Sequence, residues 1–183
     1  PGAKSLPVKP ETIDALADSL EGQVNLTPNW ISATVYQRVA NKLATEAIED
    51  QRLDFEDGYG ARANEEEDGH AISAAMELAG GVKENLLPPF IGIRIKSLTE
   101  ETKRRSIRTL DLFLSTFADQ GVALPDPFFI TLPKVTSPEQ VSALLTCVEL
   151  LEERCAFPEG HIKIELMIET IQSIISQDGV NSI

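Results

Sequence analysis

Four short β-like runs recur along the chain at almost constant intervals, and no other feature restricts its fold as much. They are RLDFED (52–57), FIGIRIK (90–96), PFFITLPK (127–134) and HIKIELMIE (161–169), each rich in Ile, Leu, Phe or Val and flanked by turn-forming Pro or Gly. Their centres, near Leu53, Ile91, Phe129 and Ile164, lie 38, 38 and 35 residues apart, and each gap holds one long helical pattern. Strands alternating with helices at such spacing predict successive β-α units with parallel strands. The units share no sequence similarity, so the repetition is architectural.

The intervening helices carry their own signals. Ser97 and Glu100 form a capping-box pattern ahead of an apolar stripe through Ile107, Leu110, Phe113, Leu114 and Phe117. Ser137, Pro138 and Gln140 repeat that signature before Val141, Leu144, Leu145, Val148 and Leu151. Asn64 and the acidic run 65–68 start another helix, expected to stop at Gly80 and Gly81. Thr27 and Pro28 open one with Ile31, Val35, Val39 and Leu43 on a single face. Residues 1–10 contain three prolines and read as a loosely attached arm. No interior linker is visible. The chain therefore reads as one domain, with an N-terminal arm and helices over 1–50 and the β-α units over 51–183.

The strand patterns decide between an open sheet and a barrel. In 161–169, Ile162, Ile164, Leu166 and Ile168 share one face while Lys163, Glu165, Met167 and Glu169 share the other. Asp54 and Glu56 alternate with Leu53 and Phe55, and Arg94 and Lys96 with Ile93 and Ile95. Parallel strands covered by helices on both faces are apolar on both. One apolar face and one face of mixed charge predict an α/β fold of the (β/α)8, or TIM, barrel type, with helices outside and polar groups gathered at one mouth. Such a barrel has eight units and about 250 residues, so four units make a partial barrel. Either the chain is a piece of a longer protein or another chain completes its core, and a homo-oligomer is the expectation.

Composition narrows the partners. Lys and Arg number 16 against 29 Asp and Glu, a formal charge of −13, which argues against nucleic acid and anionic membrane surfaces. No apolar run approaches the length of a membrane span, and the N-terminal residues lack a signal-peptide layout. Cys147 and Cys155 are the only cysteines. Eight residues apart on one helix, their Cα atoms lie roughly 12 Å from each other, too far for a disulfide. A reducing, cytoplasmic setting is expected.

In barrels of this kind reactive groups sit at the C-terminal ends of the strands. Those ends carry Glu56 and Asp57, Arg94 and Lys96, Lys134, and Glu169. Carboxylates and a guanidinium converging there suit a divalent cation and an anionic oxo-acid. The same segments resemble the HpcH/HpaI aldolase and citrate lyase β-subunit family of the phosphoenolpyruvate/pyruvate barrel superfamily. RLDFEDGYG resembles its LDLED segment, IGIRIKS its V-R-I-N strand, ITLPKVTSPEQV its LPKVES-plus-helix segment, and IELMIET its I-E-T strand. Order and approximate spacing agree over residues 51–172. LDFEDGYG and PPFIGIRIKS look closest to an uncharacterised aldolase/lyase-like branch.

The resemblance implies a metal-dependent carbon–carbon lyase that cleaves or forms hydroxy-acids or their CoA thioesters through an enolate. Glu169 matches a metal ligand for Mg²⁺ or Mn²⁺. Arg94 matches the arginine that steadies the carbonyl or enolate oxygen, both as catalytic and as substrate-binding residue. Glu56 and Asp57 match the acidic pair near the metal site and are candidate substrate-binding residues, and Lys134 matches a lysine expected to be structural. The family's second metal carboxylate follows the next strand, so it is expected beyond Ile183.

Other readings stand beside these. Arg94 pairing with Asp54 or Glu56 is the structural alternative. Lys96 or Lys134 is the candidate for a Schiff-base aldolase, and a non-catalytic half-barrel serving as an interaction piece is a third reading. Gly58 and Gly60 read as turn residues, and the run 65–68 as a solvated helix start. Glu100 with Arg104 and Glu101 with Arg105 read as i,i+4 pairs on a surface helix. His70 and His161 have no ligand spacing and carry no assigned role.

Overall fold

A computed structural model of the chain describes residues 28–176 and 178–180. The proposed arm over 1–10 and Thr27 lie outside the described residues. Two compact units divide the chain, Pro1–Ile48 and Glu49–Ile183. The first contains α1 (Pro28–Thr45), which covers the apolar spacing from Ile31 to Leu43. The second runs β1 (Asp50–Asp54), α2 (Asn64–Glu84), β2 (Phe90–Arg94), α3 (Lys103–Ala118), β3 (Phe128–Leu132), α4 (Pro138–Cys155), β4 (Ile162–Leu166) and α5 (Ile171–Ile174). Among the described residues no helix is long and apolar enough to cross a membrane. Cys147 and Cys155 are free.

The four strands form one sheet in the order β1-β2-β3-β4, and every neighbouring pair is parallel. The fold is α/β with four parallel strands alternating with helices. Pairing register lines residues up in rows across the sheet. Leu53, Ile93, Ile130 and Ile164 form an apolar row, and Asp54, Arg94, Thr131 and Glu165 form the next. Side chains alternate faces along a strand, so the two rows lie on opposite faces. The apolar face builds the core: Ile93 and Ile130 are fully buried with Ala71 and Ala75 of α2, Phe113 of α3 and Leu144 of α4. The Phe113 ring stacks on Phe128 of β3, centroids 6.1 Å apart. The opposite face keeps the charged row.

Behind that row stands a second one of Arg52, Gly92, Phe129 and Lys163. Gly92 has a definite reason to be glycine. A Cβ there would run into the Phe129 carbonyl and meet Phe129 Cβ at 2.9 Å. With no side chain at Gly92, Arg52 of β1 reaches across β2 and lays its guanidinium 4.8 Å from the centre of the Phe129 ring.

Several local expectations need correction. All four strands end earlier than their sequence runs, so Glu56, Asp57, Lys96, Lys134 and Glu169 stand in the loops that follow. The second helix passes through Gly80 and Gly81 and ends at Glu84, where Asn85 takes the left-handed conformation at φ 55°. The capping box at Ser97 and Glu100 does not form, because α3 begins at Lys103 with Thr102 as its N-cap. Thr102 instead donates its hydroxyl to the Ser97 carbonyl at 2.6 Å. Ser137 does stand at the N-cap of α4 with Pro138 following, and Gln140 Oε1 accepts the Thr136 amide at 2.9 Å. The run 65–68 is not simply solvated: Glu67 is 1 % exposed, and Asp68 pairs with Arg105 and Arg108 of α3. Arg105 therefore spends its charge between helices rather than on Glu101.

The tight approach at Gly92 generates a prediction. Gly92→Ala should destabilise the protein by about 1–3 kcal/mol, the usual range for forcing atoms into a packed site. Urea denaturation checks this, and an unchanged midpoint would mean that β2 moves aside freely.

Candidate functional site

The polar row begins with a clamp. Asp54 is the last residue of β1 and Arg94 the last of β2, and they are register partners. Arg94 donates from Nε to Asp54 Oδ1 at 2.7 Å and from Nη2 to Oδ2 at 2.5 Å. That is the bidentate arginine–carboxylate geometry. The same carboxylate accepts the amides of Glu56 and Gly58, both at 2.9 Å, so the chain leaving β1 folds around it. A Cβ on Gly58 would collide with this carboxylate, which accounts for the glycine. The Arg94 hydrogen bond, against the opposing effect of burial, holds the Asp54 carboxyl below the usual carboxylate range. Asp54 in turn raises the pKa of Arg94.

The turn carries Glu56 and Asp57 to a second centre, Lys134. Its ammonium bonds Glu56 Oε1, and Asp57 Oδ1 at 2.7 Å. Glu56 Oε2 accepts the Asp57 amide at 2.9 Å and lies 4.0 Å from Arg94 Nη1. Lys134 sits two residues past β3 at φ 51°, a left-handed conformation that non-glycine residues seldom adopt. Its amide donates to Glu169 Oε1 at 2.8 Å. Arg94, Glu56, Asp57, Lys134 and Glu169 thus share the C-terminal end of the sheet, linked through Lys134. Asp57, with Glu56 second, raises the Lys134 pKa, and Lys134 lowers that of Asp57. A raised pKa is opposite to what a Schiff-base nucleophile needs.

Lys96 leaves this cluster. Its ammonium meets the Phe55 carbonyl at 2.6 Å and Glu67 Oε2 of α2 at 2.9 Å, and stands 4.9 Å from the Tyr59 ring centre. Strand parity places it beside Arg94, but β2 ends at Arg94 and the alternation ends with it. The histidines serve locally. His70 Nδ1 pairs with the Tyr59 hydroxyl at 2.7 Å, and His161 Nε2 lies 2.8 Å from the Pro125 carbonyl.

Arg52, Thr131 and Glu165 join the candidate site, although the sequence motifs assign them no role. Arg52 donates from Nε and Nη2 to the two oxygens of Glu165, each at 3.3 Å, and the Thr131 hydroxyl donates to Glu165 Oε2. Burial works to raise the Glu165 pKa, but the Thr131 and Arg52 hydrogen bonds outweigh it and hold it low. Their signal in the sequence is strand parity: each stands on the same face as Asp54 or Arg94. With Asp54, Arg94, Leu166 and Met167 they line an open depression of about 590 Å³ on that face. The clamp uses Arg94 Nε and one proton of Nη2. Nη1 donates to Met167 Sδ at 3.9 Å and lies 4.0 Å from Glu56 Oε2, long contacts beside the two short bonds of the clamp.

A divalent cation needs about six oxygen ligands. Among the described residues no group of three or more His, Cys, Asp or Glu side chains is arranged to hold one. Glu56 and Asp57 are held by Lys134, and Glu169 has one oxygen on the Lys134 amide. These residues do not make up a cation site by themselves.

Fold and candidate site together define a class: a parallel β-α sheet with an ion-paired polar cluster beyond its strand ends. Over residues 3–183 the chain matches the model of a family described as a domain of unknown function, DUF6986, and it belongs to that family. No curated protein and no solved structure matches it.

The clamp has a pH signature. A carboxyl with a lowered folded-state pKa stabilises the fold above its unfolded value, and the contribution disappears as pH falls through the folded value. Asp54→Asn should therefore cost about 1–3 kcal/mol at pH 7. The difference from wild type should shrink below pH 3.8, the ordinary value for this carboxyl. Denaturation across pH 2–7 measures it, and a gap that is constant or widens in acid would contradict the clamp.

Proposed function

We propose that the protein is a carbon–carbon lyase of the aldolase/citrate lyase type, cleaving or forming hydroxy-acids or their CoA thioesters through an enolate. The observation that carries this reading is the fixed guanidinium of Arg94. Anchored by Asp54 through two bonds, it offers its remaining donors at the depression where the oxo-acid oxygens are proposed to sit. As the carbon–carbon bond breaks, the hydroxyl proton passes to solvent, the hydroxyl carbon becomes the carbonyl of one product, and the bonding pair becomes the enolate of the other, with negative charge gathering on its oxygen. A donor already in place stabilises that charge without reorganising. Glu56 and Asp57, restrained by Lys134, border the same end and act in this reading on the substrate side. Support for this site comes from the position of these groups beyond the C-terminal ends of parallel strands, the usual place for chemistry in β-α barrels, and from the resemblance of the four strand motifs.

The reading includes Mg²⁺ or Mn²⁺ with Glu169 as a ligand, a partial TIM barrel, and a cytoplasmic homo-oligomer. When bound, the cation would act as a Lewis acid on the oxo-acid oxygens. The described carboxylates leave most of its ligands to come from elsewhere, and the proposed roles of Arg94, Glu56 and Asp57 do not pass through it.

The test is a panel of hydroxy-acids and their thioesters offered to the full-length protein with and without chelator. Turnover is expected only with the divalent cation, and Glu169→Gln should weaken its binding because an amide presents a neutral oxygen. Arg94→Lys should lower kcat by roughly 10²–10³, the scale of losing one preorganised donor, with a smaller change in KM. Chelator-resistant turnover trapped by borohydride at Lys134 or Lys96 would replace this reading with Schiff-base chemistry.

A further inference from the structure

The Glu67 carboxylate is 1 % exposed, and nothing in the proposed chemistry uses it. It accepts from Thr109 Oγ1 at 2.6 Å, lies 3.4 Å from Arg105 Nε, and holds the Lys96 ammonium at 2.9 Å. Lys96 spends another donor on the Phe55 carbonyl at 2.6 Å. Phe55 is buried beneath the turn that carries Glu56 and Asp57, with its ring 5.2 Å from Tyr59.

We propose that Glu67 and Lys96 are a positioning pair that pins the Phe55 carbonyl from below and so fixes where Glu56 and Asp57 stand at the mouth. Buried ion pairs are weak devices for stability, since apolar residues of similar volume often hold helices and strands together as well or better. What an apolar pair cannot supply is a directional donor aimed at one carbonyl. The turn is thereby held from three sides: by Lys96 at Phe55, by Asp54 at the amides of Glu56 and Gly58, and by Lys134 at the two acidic side chains. Glu67 orients the ammonium, and Thr109 and Arg105 orient Glu67. Ser106 Oγ, donating to the Lys96 carbonyl at 2.7 Å, ties the Lys96 backbone to α3 as well.

The importance of this role rests on the reading of Glu56 and Asp57 as site residues, so the test avoids turnover. Amide hydrogen exchange by NMR is compared in the wild type, Lys96→Met, Lys96→Arg and Glu67→Gln. The Asp57, Gly58 and Gly60 amides report on the turn, and those of Ile93 and Ile130 on the sheet. Lys96→Met should speed exchange at the turn at least tenfold beyond any rise at the sheet amides, which register the general cost of leaving Glu67 short of a counterion, and Lys96→Arg, which keeps a charged donor, should restore much of the protection. If Lys96→Met does not fold, Glu67→Gln carries the same expectation with a smaller turn-specific increase. Exchange that rises together at turn and sheet, or an unchanged turn, would overturn the positioning role. A silent substrate panel would instead overturn the lyase reading and leave the exchange result standing.

Discussion

The bidentate bond between Asp54 and Arg94 holds the C-terminal end of the sheet together. It closes the β1–β2 ladder at the last paired position of both strands, and it gathers the two amides of the following turn on the same carboxylate. Each acceptor oxygen of Asp54 serves one guanidinium nitrogen and one backbone amide. Removing either partner would leave a half-buried charge without its counterion, which is far worse than never having placed the pair there. The same bond that stabilises the strand ends also fixes the direction of Arg94 Nη1, which faces Met167 and Glu56. Stability and proposed chemistry share one interaction.

The two sheet faces divide the remaining tasks. The row Leu53, Ile93, Ile130 and Ile164 belongs to the helix-backed face and supplies burial. The row Asp54, Arg94, Thr131 and Glu165 supplies charge. Between strands the polar face is satisfied internally: Arg52 to Glu165, Thr131 to Glu165, Arg94 to Asp54. Between helices a second ionic seam runs through Glu67, Asp68, Arg105 and Arg108. Lys96 joins that seam to the turn after β1 through the Phe55 carbonyl.

The spacing of the four strands and their parallel order are legible in the sequence because strand periodicity and helix length are local properties, written in each β-α unit. The alternation that puts Arg94 and Asp54 on one face is legible for the same reason, and so is the possibility that they pair. Strand ends are not. Asp54 stops β1 by wrapping the next turn around its own carboxylate, an event that the apolar Phe55 conceals. Lys96 falls at the mouth only by a parity that no longer applies once β2 ends. Arg105 and Asp68 look like members of separate helical charge patterns, since i,i+4 arithmetic cannot see a partner on the neighbouring helix. The failed capping box has a similar cause: Thr102 takes the Ser97 carbonyl and starts α3 later.

The most direct test of the clamp's central place is a double-mutant cycle on Asp54→Asn and Arg94→Gln, followed by urea denaturation at pH 7 and low salt. Residues in direct, shared hydrogen bonding couple by about 0.5–3 kcal/mol. A coupling above about 1.5 kcal/mol is expected from a bidentate, half-buried pair. Additive losses, with coupling inside about 0.5 kcal/mol, would contradict the account.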